Sequence, residues 1–168
     1  FLGEGGGVPP WELTDALDKG DIRTSLDKLH RMTEGGGRHA LQIMATLQNH
    51  YGRMLMLDGA DVAGEKDAAR VLGLKGSTFP ARKALSQARR LGHDRVVRAI
   101  DLLAAADLDL RGGKAWPDDL VMEVLVARLA ARSPECRRVL RLLAPAGLPL
   151  TAQQLADVSE AFEAETDR

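Results

Sequence analysis

Along residues 38–57 (RHALQIMATLQNHYGRMLML), apolar side chains return at Leu41, Met44, Ala45, Leu47, Tyr51, Met54, Leu55 and Leu57. This spacing predicts one broad apolar face on a helix of about five turns, with Gln42, Asn49, His50 and Arg53 directed elsewhere. Ile43 and Met56 widen the face. A helix so apolar needs cover on more than one side, so the pattern predicts the central post of a helical bundle.

The flanking stretches carry the same period, punctuated by glycine. A first helix is expected over 11–19, stopped by Gly20, and Asp21 is placed to cap a second whose Ile22, Leu26 and Leu29 share a face. Gly35, Gly36 and Gly37 end that helix, and Asp58-Gly59 and Gly64 break the pattern after the central one. A short helix over 65–72 stops at Gly73, a turn over 75–78 follows, and a further helix covers 79–91. Beyond Gly92, the helix expected over 95–110 takes Asp94 as its cap and Val97, Ile100, Leu103 and Ala104 as its stripe, ending at Gly112-Gly113. Pro117 suits a first helical turn. Residues 120–131, apolar except for Glu123 and Arg128, should be deeply buried. Past Pro134, a short helix with Arg137, Arg138 and Arg141 on its outer side is expected. A last helix is then opened by a capping box of Thr151 and Gln154. No strand-like alternation of useful length occurs. The expected fold is all-α, a compact helical bundle of about seven helices plus one or two extra C-terminal helices.

In domain terms, residues 1–10, with three consecutive glycines and Pro9-Pro10, read as a linker. Residues 11–131 read as the helical domain and 132–168 as a C-terminal helical extension. The first residue is Phe1 rather than methionine, which fits either a processed product or a fragment preceded by other domains.

Composition narrows this only a little. The 168 residues are 45% hydrophobic and 28% charged, enough for one ordinary core, and with 4% aromatics that core should be aliphatic. A formal net charge of -1 gives no global reason to expect nucleic acid or a membrane as partner. No apolar run approaches the roughly 20 residues of a membrane span, and no signal-like n-region and h-region is visible. A single cysteine, Cys136, excludes an internal disulfide and fits a reducing cytosol.

Charge is segregated, however. Between Gly64 and Arg98 stand nine Lys and Arg against three acids, a net of +6, so the remainder of the chain carries −7. Residues 65–90 have the rhythm of a helix–turn–helix: a short helix, a glycine turn, then a basic helix. Lys75, Arg82, Lys83, Arg89 and Arg90 are its candidates for phosphate contact, which makes a DNA-binding regulator the alternative function. The basic helix offers only Gln87, and no Asn, to read bases, which weighs toward a solvated face or a protein contact.

Catalytic and metal-binding motifs are absent: there is no phosphate loop, no His-Glu-x-x-His and no paired cysteines. His30, His39, His50 and His93 stand apart and read as surface or packing histidines. Asp107 borders an apolar stripe, where a carboxylate needs an ion-pair partner or a cap to fill. No catalytic residue, cofactor or metal is expected.

Four phrases, taken in order, resemble the C-terminal helical domain of the bacterial DNA polymerase III delta subunit. WELTDALDKGDIRTSLDKL is similar to that family's opening helix pair, and ALQIMATLQNHYGRMLML to its long central helix with the Gln-x-x-Tyr-Gly-Arg-x-Leu phrase. AARVLGLKGSTFPARKALSQARRL resembles its short helix, Leu-Gly turn and basic helix. VVRAIDLLAAADLDLRGG resembles its ending, with Asp107, Leu110 and Gly112 at the key places and Arg111 where the family usually has lysine. Residues 133–168 run past the family's usual end.

The resemblance implies a collar domain of the clamp loader, a non-catalytic part of the DNA polymerase holoenzyme. Its implied partners are the ATPase subunits and delta prime, and it would meet the sliding clamp through upstream domains. DNA would be met indirectly or by weak phosphate contact, in the bacterial cytoplasm at the nucleoid-associated replication machinery. Met32, Met54, Met56, Leu102 and Met122 are candidates for the partner face. Asp107, Tyr51 and Gly112 are expected to be structural.

Overall fold

The structure, a computed structural model, describes residues 8–35 and 37–131. The predicted glycine linker up to Gly7, the C-terminal extension with its helices, and Cys136 lie outside the described residues. Among those described, all regular structure is helical, as the periodicity predicts, and no strand occurs.

The helices are α1 (Pro10–Lys19), α2 (Ile22–His30), α3 (Ala40–Leu57), α4 (Glu65–Val71), α5 (Phe79–Leu91), α6 (His93–Leu108) and α7 (Asp118–Ala130). Two π-helical turns, Arg31–Gly35 and Asp109–Gly113, extend α2 and α6. The described residues group into two compact units. One runs up to Met44 and resumes at Ala105; the other is Ala45–Ala104.

In the first unit α1, α2 and α7 pack against one another. Gly20, at φ 76, lets the chain reverse after α1, with its amide and that of Asp21 returning to the carbonyls of Leu17 and Ala16. The Asp21 carboxylate then accepts from the Thr24 amide at 2.9 Å, the cap that the sequence predicts. Leu13, Leu26, Leu29, Met122 and Val126 are almost wholly excluded from water. Burying such side chains stabilises the fold by about 1.5–3 kcal/mol each. Asp118 and Asp119 occupy the first turn of α7, where the helix dipole favours negative charge.

In the second unit α4 and α5 pack face to face over Leu57, Val62, Ala68, Ala69, Ala81, Ala84 and Leu85, with Leu72 and Leu74 closing the edge. The contact is built mainly from alanine, so the two helix backbones lie close.

Two expectations are corrected. Asp94 does not cap α6. Gly92, at φ 81, ends α5 and its carbonyl accepts from the Val96 amide, so α6 starts at His93 and Asp94 sits in its first turn. And the apolar face predicted for α3 is covered only in part. Ile43, Met44, Leu47, Tyr51 and Met54 are buried, but Leu41, Leu55 and Met56 are 47%, 39% and 54% exposed.

Candidate functional site

The five basic residues singled out for phosphate contact do not converge. Lys75 lies in the exposed link between α4 and α5, and Arg90 is exposed near the end of α5. The Arg82 guanidinium lies over the Phe79 ring, 5.4 Å from its centre, and 3.9 Å from a Glu65 carboxylate oxygen. Arg89 reaches back to donate to the Val62 carbonyl at 2.8 Å, and Lys83 is half-buried. Residues 72–78 separate the two helices, longer than the three or four residues of a helix–turn–helix joint. Arg82 and Arg89 are thus engaged by groups of their own unit.

The predicted partner face is mostly core. Met32, Met54 and Met122 are at most 1% exposed and Leu102 is buried as well. Their flexible thioether chains fill interior gaps, a role that helical periodicity cannot separate from adaptable surface contact. Met56 alone of the five stands in solvent.

The structural residues take defined positions. Tyr51 is buried, with the His50 ring edge-on at 5.0 Å. Asp107 accepts from Arg111 Nε at 2.8 Å and Nη2 at 3.3 Å, the rim ion pair expected of a carboxylate beside an apolar stripe. Gly112, at φ 97, turns the chain out of the π-helical turn.

Sequence spacing missed the histidine partners, because both pairs join distant segments. In the first unit His30 Nε2 lies 2.6 Å from Glu123 Oε1, tying the end of α2 to α7. In the second, His93 Nδ1 lies 2.5 Å from Asp58 Oδ2. The Asp58 hydrogen bond and charge, and then Asp94, raise the His93 pKa above its ordinary value.

Beside the His30–Glu123 pair is a cleft of about 400 Å³ whose floor includes Leu29 and Met122 and whose rim includes Asp118 and Asp119. An imidazole held by a carboxylate has the arrangement of a general base. The nearby Thr33 hydroxyl is spent on the carbonyls of Leu29 and His30. Among the described residues no three His, Cys, Asp or Glu side chains are placed to hold a metal ion. No helix among them is long and apolar enough to cross a membrane.

What the structure does expose is the outward side of α3. Leu41, Ala45, Gln48, Asn49, Leu55 and Met56 face solvent there. Arg53 is the single Lys, Arg, Asp or Glu in the whole of Ala40–Leu57. Exposed faces of α2 and α5, by contrast, carry Arg23, Asp27, Arg82 and Arg90. No protein-family model, no curated protein and no solved structure matches the chain.

Proposed function

We propose that this chain is a helical assembly domain: a collar domain of a bacterial clamp loader, resembling that of the DNA polymerase III delta subunit. It works in the bacterial cytoplasm by packing beside ATPase subunits and delta prime so that the sliding clamp is loaded on primed DNA. The observation that carries the reading is the sparsely charged outward side of α3, where Arg53 is the single charged residue. Charged residues are depleted in the buried centres of protein interfaces, and a solvated helix face gains nothing from exposed Leu and Met. The sequence resemblance supports it as well, since its four phrases fall in order on α1–α2, α3, α4–α5 and α6 with its terminal turn.

A DNA-reading role draws little support, given the engaged arginines and the long α4–α5 link. Size-exclusion chromatography with light scattering tests the assignment. The chain is mixed with the ATPase subunit and delta prime of the same organism. Co-elution as a defined assembly is expected. Failure of the chain to join that assembly overturns the assignment.

A further inference from the structure

The cleft beside the His30–Glu123 pair lies within one compact unit. One wall is the end of α2 with its π-helical turn. A second is residues 37–40 at the start of α3, and the third is the beginning of α7. The walls differ in charge. The start of α3 brings the half-buried Arg38 and no acid, whereas α7 brings Asp118 and Asp119. The floor is apolar, with Leu29 and Met122 each 1% exposed.

The charged ends on these walls are unspent. Elsewhere in the same unit carboxylates find cations: Glu12 meets Lys28 at 2.8 Å, Asp107 meets Arg111 at 2.8 Å, and Asp109 meets Lys114 at 3.0 Å. Among the described residues the Arg38, Asp118 and Asp119 side chains have no such partner, so the cleft holds both signs without neutralising them inside the chain. Glu123, by contrast, is committed to His30 at 2.6 Å, a contact that braces the α2 wall against α7.

We propose that this cleft binds a free α-amino acid with an aliphatic side chain. The α-carboxylate pairs with the Arg38 guanidinium, whose planar fork matches it, and the ammonium pairs with Asp118 and Asp119. The aliphatic side chain lies on Leu29 and Met122, removing apolar surface from water. A ligand carrying one charge leaves the opposite wall unpaired, and a charge drawn out of water without a partner is costly. A volume of about 400 Å³ is near the small end for ligand pockets, which suits one amino acid better than a nucleotide or a long peptide. The site is separate from the outward side of α3 and requires no partner protein.

The test uses the whole chain alone and three probes of one shape: L-leucine, isoamylamine, which lacks the carboxylate, and isocaproate, which lacks the amine. In amide NMR titrations L-leucine should shift the signals of residues 37–40 and 118–123, saturating at roughly micromolar to millimolar concentration. Isoamylamine and isocaproate should each bind about tenfold or more weakly. Arg38→Gln should abolish the preference for L-leucine over isoamylamine. Joint replacement Asp118→Asn and Asp119→Asn should abolish the preference over isocaproate. Circular dichroism should show both variants folded. Asp101→Asn, which does not line the cleft, should bind as the parent chain does. Two results overturn the proposal. One is the absence of any L-leucine shift at the cleft up to about 10 mM. The other is isoamylamine binding as tightly as L-leucine, which would mark an acidic surface that merely collects cations.

Discussion

His93 and Asp21 show how single groups tie the fold to pH in opposite directions. The Asp58 carboxylate raises the His93 pKa above 6.5, with Asp94 adding to the effect. The stabilising contribution of the pair is therefore complete below about pH 6.5 and is lost as pH climbs through the raised value. Asp58→Asn should return the His93 titration, followed by NMR of the imidazole, toward the ordinary midpoint. It should also flatten thermal stability across that window. An unchanged midpoint would mean the two side chains do not pair in solution. At Asp21 partial burial pushes the carboxyl up, but the Thr24 amide and hydroxyl, with Arg23 and Lys19, hold it below the usual value. Its contribution is present above the ordinary carboxylate pKa and fades as pH falls through the lowered one. Asp21→Ala should cost about 1 kcal/mol at neutral pH, measured by denaturant unfolding, and much less in acid. Caps of this kind act within three residues and were legible in the sequence. The His93–Asp58 and His30–Glu123 pairs join residues 35 and 93 positions apart, and no local pattern marks them.

Helices and their glycine stops could be read from periodicity, because each is a local consequence of side-chain spacing and backbone freedom. What periodicity left undecided was which side of an apolar helix meets the core. On α3, Leu55 and Met54 are neighbours with opposite fates, one 39% exposed and the other wholly buried. Leu41 and Leu55 match the apolar period as well as Leu47 does, and only packing separates them. For the same reason four of the five expected partner-face residues proved to be core. Two glycines make the distinction measurable. Gly112 holds φ 97, where a side chain is strained, so Gly112→Ala should destabilise by about 1 kcal/mol or more. Gly52 lies inside α3 with open space where a Cβ would go, so Gly52→Ala should stabilise the monomer by up to about 1 kcal/mol. Thermal melts of the two variants should move in opposite directions. A loss of stability at Gly52 would show that its own chain packs against that site. Met54→Ala, which empties a fully buried position, should cost about 2–5 kcal/mol in the same assay.

At the scale of the whole molecule, the proposed assembly surface is the sparsely charged outward side of α3, whose single charged residue is Arg53. The five methionines report on it directly. Met32, Met44, Met54 and Met122 are at most 1% exposed, while Met56 on the outward side of α3 is 54% exposed. Dilute peroxide oxidises accessible thioethers first, and the rate at each site can be followed by mass spectrometry of the digested chain. Under conditions where the chain is monomeric, Met56 should oxidise rapidly and the other four slowly. Once the chain is assembled, Met56 should become protected while the buried four stay slow. A Met56 rate identical in the free and assembled chain would contradict the assignment of α3 as the contact face.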